Sequence, residues 1–230
     1  MVEWTTSYRP QSLDEMALYP ALRKRLNYYL KRKDLSHLIM QGDTGTGKTT
    51  SARILADAHE FDVREIDCSH INSSSAMLDI IKGSTSVSLF GAGKRKLFLM
   101  DEFHNVDKKF QTMFNKTMED QAAQNIYVFC VNKLNDVAEP IISRCSTLYF
   151  DVGVIHPTTH KFKMFPYADI SKDEWIDELK RVGRLVASKD GHKDVDAQLD
   201  AVAANDPYIL DPRRFIRALK EQIEMHEMEN

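Results

Sequence analysis

Apolar positions follow two different rhythms along this chain. Up to residue 150, short continuous apolar runs alternate with stretches of helical spacing. The runs are Leu38-Ile39-Met40, Leu97-Phe98-Leu99-Met100, Ile126–Val131 and Leu148-Tyr149-Phe150; Phe61–Asp67, which is not such a run, reads as a further strand with Val63 and Ile66 as its buried positions. Continuous apolar runs of this length fit strands buried on both faces. Between them lie helical patterns. Pro20 opens one with Leu22, Leu26 and Leu30 on a stripe, and Thr50–His59 is an alanine-rich second. A third begins near Ser74 with Met77, Leu78, Ile80 and Ile81 and ends at Gly83. A fourth spans Val106–Met118 with Phe110, Met113, Phe114 and Thr117 on one face. Strands alternating with helices predict an α/β core with a parallel sheet over residues 1–150.

After residue 170 only the helical rhythm remains. Ser171 and Glu174 form a capping-box pattern, followed by Trp175, Leu179, Val182 and Val186 at helical spacing. Asp194 is placed to cap a second helix carrying Val195, Leu199 and Val202. Asp211-Pro212 supplies an N-cap and a first-turn proline for a third, with Ile216, Leu219 and Ile223. These helices predict a small all-α domain over 171–230, too small for a strong core alone and expected to move against the first. Residues 151–170, with Pro157, Pro166, His156 and His160, read as an irregular linker. No third ligand accompanies the two histidines, so a surface loop is expected rather than a metal site.

Two smaller signals stand near the start. Ser12 and Glu15 match a second capping box, and Ser84–Lys96, with Gly91, Gly93 and Lys94-Arg95-Lys96, reads as loop. Pro10 keeps Arg9 extended, and Trp4 and Tyr8 suggest that the opening segment packs on something.

Composition narrows the function classes. The chain has 230 residues, 43% hydrophobic and 28% charged, with a net charge of −3. That balance carries no global nucleic-acid signature, so any DNA contact is local. The basic face of the helix after Pro20 is expected to be solvated. Cys68, Cys130 and Cys145 show no paired spacing, which fits a reduced, intracellular protein without a zinc module. No apolar run reaches the roughly 20 residues of a membrane helix, and the N-terminus lacks a signal-peptide core. The expected location is the cytoplasm, with no membrane partner.

The candidate chemistry sits after the first strand. Gly42, Gly47, Lys48 and Thr49 match the phosphate-loop pattern G-x-x-x-x-G-K-[ST] between a strand and a helix. Glycines let backbone N–H groups wrap phosphates, the helix N-terminus favours the anion, Lys48 meets the β- and γ-phosphates, and Thr49 offers a hydroxyl to Mg²⁺. The second candidate is Asp101-Glu102, two acids emerging at the carboxyl end of a buried strand. There Asp101 would organise Mg²⁺ and Glu102 would polarise an attacking water. Asn132 ends the next strand; it is equally a turn residue or a contact to the γ-phosphate.

Trp4-x-x-x-Tyr8-Arg9-Pro10, the phosphate loop, Asp101-Glu102, Asn132, Ser143-Arg144-Cys145 and Asp211-Pro212-Arg213-Arg214 occur in one order. In that order they resemble an AAA+ ATPase. More narrowly, the chain resembles the ATPase subunits of sliding-clamp loaders, the replication factor C small subunits and the large subunit of bacteriophage clamp loaders, over nearly all of residues 3–222. The resemblance implies an AAA+ phosphate-loop core followed by a helical lid, using ATP and Mg²⁺. It implies that Thr5, Thr6, Ser7, Tyr8 and Ala17 line the adenine and ribose, and that Gly45, Thr46, Gly47, Lys48, Thr49 and Thr50 hold the phosphates. Asn132 would be sensor 1, Arg213 sensor 2 on the lid helix, and Arg144 an arginine finger acting on ATP of the adjacent subunit. Lys82, Lys108 and Lys109 match stretches that touch DNA in the family, although a solvated charge is an equal reading for each.

The partners implied are a sliding clamp, primer–template DNA and further clamp-loader subunits. The location implied is the host cytoplasm if the chain is phage-encoded. Two departures stand out. Leu210 replaces the glycine usual before the sensor 2 aspartate, and residues 223–230 are an acidic end where the family continues into a collar domain, so the expectation is either a shortened chain or assembly without a conventional collar. Alternatives are another AAA+ machine, such as a helicase loader or branch-migration motor, and a phosphate-loop kinase for a small molecule. Tyr8-Arg9-Pro10 and Ser143-Arg144-Cys145 argue against the first, and the helical lid with Arg213-Arg214 against the second.

Overall fold

A computed structural model describes residues 4–70, 95–120, 125–155, 162–204 and 210–229. Among these, five strands form one parallel sheet: β1 (Leu38–Gln41), β2 (Asp62–Asp67), β3 (Lys96–Asp101), β4 (Asn125–Val131) and β5 (Ser146–Tyr149), in the order β2-β3-β4-β1-β5. β4 is central and all seven of its residues are buried, as a strand covered on both faces requires. At the edge, β2 buries Ile66, whereas Val63, expected inside, is half-buried. The register aligns the strands' carboxyl ends, with Met100 opposite Phe129 and Gln41 opposite Val131. Asp101 and Asn132 therefore stand at one edge of the sheet.

The helices are α1 (Trp4–Ser7), α2 (Pro20–Lys31), α3 (Lys48–Ala58), α4 (Lys108–Asp120), α5 (Glu139–Ile142), α6 (Lys172–Lys189), α7 (Asp196–Ala203) and α8 (Pro212–Glu229). α4 starts two residues later than its pattern suggests, because Phe103–Asn105 and Val106 first complete a 3₁₀ turn. Its buried stripe is Phe110, Phe114 and Met118, with Thr117 half-buried. The α2 stripe ends on Tyr29, which is buried, rather than on the half-buried Leu30.

The chain divides into two compact units. One comprises Asn27–Gly42 and Ser51–Tyr149 and holds the sheet. Its core is aromatic: Phe98 stacks on Tyr127 at 5.3 Å, Phe114 meets Tyr127 edge-on at 5.1 Å, and Phe103 lies 4.5 Å from Phe129.

The other unit comprises Met1–Leu26, Asp43–Thr50 and Phe150–Asn230. Here α6 opens with the expected capping box, Ser171 with Glu174. Trp175, Leu179, Val182 and Val186 are buried with Leu199, Phe215, Leu219 and Ile223. A Cβ at Gly183 would come within 2.6 Å of Leu199 and 3.1 Å of Leu219, so a residue without one lets α6, α7 and α8 close together.

Four local expectations are corrected. Residues 151–170 are not irregular throughout: β6 (Gly153–Ile155) and β7 (Phe162–Met164) pair antiparallel, followed by a 3₁₀ turn at Pro166–Ala168. Ser12 makes no side-chain cap, because the following 3₁₀ turn is only Leu13–Glu15 and the Glu15 carboxylate accepts from the Gln11 N–H instead. Asp194 is not the N-cap of α7; Val195 occupies that position and makes no side-chain cap. The loop expected to reach Lys96 ends earlier, since Lys96 already belongs to β3. The helix expected around Met77–Ile81, Lys82, His156 and His160 fall outside the described residues.

Candidate nucleotide site

The phosphate loop is built as its glycines require. Gly45 (φ 89°) and Gly47 (φ 100°) take left-handed backbone, which costs glycine little. Both also lack room for a Cβ. At Gly45 it would meet the Asp211 carboxylate at 1.9 Å, and at Gly47 the Met16 Cε at 2.6 Å. The loop is braced from within. Lys48 Nζ donates to the Asp43 carbonyl at 2.9 Å, and Thr46 Oγ1 donates to the same carbonyl at 2.8 Å. Thr46 and Lys48 are buried. The Asp43 N–H donates to Asp151 Oδ1 at 2.7 Å. Burial pushes the Asp151 carboxyl up to about 6, against the lowering effects of the Asp43 N–H and Lys48. Lys48 and Thr49 open α3, whose N-terminal N–H groups suit an anion.

Beside this loop lies a cavity of about 290 Å³, entirely within the unit that holds the loop. Of the residues expected around a nucleotide, Thr5, Thr6, Tyr8, Ala17, Gly45, Thr46, Gly47, Thr50 and Arg213 line it. Ser7 does not; it is exposed. Lys48 and Thr49 lie in the loop but not in the cavity wall. The wall adds Met16, Val186, Ile216 and Arg217, which the sequence reading missed. Val186 and Ile216 had been read as core positions of their helices. Arg217 was recoverable, because it follows Arg213 by one helical turn. Asp211 caps α8 as expected, its Oδ1 accepting from the Arg213 and Arg214 N–H groups at 2.9 and 3.2 Å.

The acidic pair lies in the sheet-bearing unit. Asp101 is the last residue of β3 and its Oδ1 accepts from the Glu102 N–H at 3.1 Å. Glu102 has φ 53°, a left-handed conformation that costs a non-glycine residue roughly 1 kcal/mol or more. Its carbonyl caps the following turn, accepting from Asn105 N–H and Nδ2 at 3.0 and 3.1 Å. His104 Nε2 lies 3.2 Å from Glu102 Oε2 and 3.4 Å from Asn132 Nδ2. One ring nitrogen of a histidine that the sequence reading did not select thus lies against both Glu102 and Asn132, able to donate to the carboxylate or to accept from the amide, but not both at once. Its signal was available, two positions after the glutamate. Among the described residues, buried His104 Nδ1 and Asn132 Oδ1 have no hydrogen-bond partner, leaving two polar atoms open to a ligand or water. Nearby, burial and then the charges of Asp101, Asp67 and Glu102 push the Cys68 thiol up to about 12, so it stays protonated and inert.

Arg144 occupies the opposite edge of the sheet, two residues before β5 begins. Its Nε donates to Glu119 Oε1 at 2.9 Å and its Nη1 to the Pro140 carbonyl at 2.8 Å. Lys108 donates to the Asn135 carbonyl at 2.9 Å, and Lys109 is exposed. Lys82 lies outside the described residues.

The donors expected for Mg²⁺, the Thr49 hydroxyl and the Asp101 carboxylate, are hard oxygens of the kind that ion takes. Among the described residues no cluster of three or more His, Cys, Asp or Glu could hold a metal ion. Among them too, no helix is long and apolar enough to cross a membrane.

Residues 38–151 match the family model described as ATPase family associated with various cellular activities (AAA). The chain is 27% identical over 204 residues to the replication factor C small subunit of Natronomonas pharaonis, covering 86% of this chain and 56% of that protein. It is 29% identical over 223 residues to the replication factor C small subunit of Halobacterium salinarum, covering 94% and 62%. The chain spans about half the length of the curated relatives it matches. Among solved structures, the Thermotoga maritima RuvB Holliday junction branch migration motor superimposes with a TM-score of 0.68 at 24% identity, over 92% of this chain and 64% of that one. That likeness concerns the fold.

Proposed function

We propose that the chain is an AAA ATPase, as the match of residues 38–151 supports, and that it binds and hydrolyses ATP as a subunit of a sliding-clamp loader acting at primer–template DNA. One observation carries the nucleotide half of this reading: a single cavity has the phosphate-loop glycines, the opening segment with Thr5, Thr6 and Tyr8, and Arg213 of α8 in its wall. The left-handed backbone at Gly45 and Gly47 is of the kind that turns successive N–H groups toward a phosphate chain. In this reading residues 171–230 act as a lid on an ATPase core over residues 1–150, and α8 brings Arg213 as the sensor of the nucleotide. Thr49 and Asp101 are the residues that would hold Mg²⁺, which would supply positive charge to the phosphates. Glu102 orients and deprotonates the attacking water, with Asn132 beside it. Arg144 completes the site of a neighbouring subunit.

The clamp-loader half rests on the names of the relatives and on the motif order, not on the fold, which a branch-migration motor shares. The working location would be the cytoplasm. The deciding measurement is steady-state ATPase with and without primer–template DNA, cognate clamp and neighbouring replication subunits. Large joint stimulation by clamp and DNA is expected. Stimulation by four-way junctions alone would favour a branch-migration motor, and dependence on a phosphoryl acceptor would favour a kinase. Lys48→Ala should abolish nucleotide binding or turnover, and Glu102→Gln should retain bound ATP without hydrolysis; normal turnover in Glu102→Gln would remove Glu102 as base.

A further inference from the structure

The segment that walls one end of the nucleotide cavity has almost no structure of its own. α1 is four residues long, held internally by the Tyr8 N–H donating to the Trp4 carbonyl at 2.9 Å. One helical turn does not hold itself together in water, because nucleation fixes several residues for one bond. Yet Trp4 is 2% exposed, and Trp4, Thr5, Thr6 and Tyr8 all face the cavity.

What ties them down is Asp190. Its Oδ2 accepts from Trp4 Nε1–H at 2.8 Å and its Oδ1 accepts from the Tyr8 hydroxyl at 2.5 Å. One carboxylate thereby grips both ends of the turn. His192 backs the arrangement. Its ring lies 5.9 Å from that of Trp4, its Nε2 3.5 Å from Asp190 Oδ2 and its Nδ1 3.2 Å from Glu227 Oε1. The preceding residue, Lys189, donates to Glu15 Oε1 at 2.7 Å, and Glu15 also lines the cavity.

Helix formation does not explain an aspartate here. Asp190 is the C-cap of α6, where the negative end of the helix dipole disfavours a carboxylate and favours a cation. The two aromatic donors offset that disadvantage. The Tyr8 hydroxyl, ahead of Trp4, holds the Asp190 carboxyl below its usual range, and Asp190 in turn raises the Tyr8 hydroxyl.

We propose that Asp190 is a positioning residue for nucleotide recognition: by gripping Trp4 and Tyr8 it fixes the wall that receives the base and ribose, leaving the phosphate end to the glycine loop. This rests on the nucleotide reading of the cavity. The carboxylate takes no part in chemistry.

The test compares ATP with inorganic tripolyphosphate, which shares the phosphates and lacks the base and ribose. Loss of two charge-assisted hydrogen bonds at a partly exposed site predicts that Asp190→Ala weakens ATP binding about tenfold. Tripolyphosphate binding should change less than twofold. Asp190→Asn, whose one carbonyl oxygen can accept from one donor, should fall between, and it carries the test if the alanine variant does not fold. A second readout needs no nucleotide. In a Trp175→Phe background Trp4 is the sole tryptophan, and its emission should shift to the red in Asp190→Ala. Unchanged Trp4 emission would overturn the grip. A red shift with unchanged ATP affinity, or equal losses for ATP and tripolyphosphate, would overturn the role in recognition. A red shift in Asp190→Ala, together with wild-type protein that binds neither probe, would refute the nucleotide reading itself.

Discussion

Replacing Gln111 tests how the sheet-bearing unit is held together around the acidic pair. Gln111 lies on α4 with a wholly buried side chain. Its Nε2 donates to the Val106 carbonyl at 2.9 Å and to the Asp136 carbonyl at 3.1 Å, and its Oε1 accepts from the Ala138 N–H at 2.7 Å. One amide thus satisfies three backbone groups on the two segments that follow Glu102 and Asn132. Gln111→Leu keeps the volume roughly constant and leaves two carbonyls and one N–H without that partner. At about 1–3 kcal/mol for each stranded buried group, less the gain from burying an apolar side chain, the expected loss is about 4 kcal/mol. Urea unfolding, followed by a probe in the sheet, should show this as a lower midpoint at constant m. Gln111→Glu supplies the discriminating control. A buried carboxylate with one donor, the Ala138 N–H, and two carbonyl oxygens facing its second oxygen is driven to protonate, so its folded pKa is raised. Stability contributed by the protonated form is present at low pH and lost as the pH rises through that raised value. Gln111→Glu should therefore be worse than Gln111→Leu at pH 7 and recover at pH 5. A loss below about 1 kcal/mol for Gln111→Leu, or a pH-independent Gln111→Glu, would refute the accounting.

Two further outcomes follow from groups at the candidate site. Asp151, raised from 3.8 to about 6 by burial, favours folding fully only below about pH 3.8, and its contribution is lost as the pH rises through about 6. Asp151→Asn, which can still accept from the Asp43 N–H, should gain about 3 kcal/mol relative to wild type between pH 4 and pH 7; parallel stability curves over that window would refute it. Arg144→Ala should spare ATP binding and lower turnover of the assembled complex by about a thousandfold, and mixing it with Glu102→Gln subunits should restore part of the activity. Failure of the mixture to recover, with both variants assembled, would remove the trans role.

What could be read from the sequence was whatever depends on neighbours along the chain. Gly45 and Gly47, the capping box of Ser171 and Glu174, the N-cap at Asp211 and the buried stripes of α6, α7 and α8 all follow from spacing within one or two turns. The false capping box at Ser12 matched the same spacing, but only a three-residue 3₁₀ turn follows, and Glu15 reaches Gln11 and Lys189 instead. β6 and β7 were missed because each strand has three residues and pairs across a segment whose composition suggests loop. Asp190 lay beyond reach for a stronger reason. Its partners stand 186 and 182 residues away, and nothing in its own neighbourhood marks a carboxylate at a helix end as anything but ill-placed. His104 shows the intermediate case: its tie to Glu102 is local, and its tie to Asn132 depends on β3 lying beside β4.

That adjacency also separates the proposed chemical roles in space. Parallel strands send every carboxyl end to one edge, so Glu102 after β3 and Asn132 after β4 both stand there beside His104. Arg144 precedes β5, and Glu119, which holds it, lies near the end of α4, before β4 begins; both belong to the other edge. At about 3.3 Å per residue, the four residues of β5 and the seven of β4 put the edges roughly 13–23 Å apart. An arginine side chain does not span that distance, so Arg144 cannot reach a phosphate beside its own Glu102 while this sheet is intact. If Arg144 stabilises a transferring phosphate at all, that phosphate belongs to another subunit. Hydrolysis would then depend on assembly, with the Glu119 carboxylate neutralising the arginine until a neighbour's nucleotide replaces it.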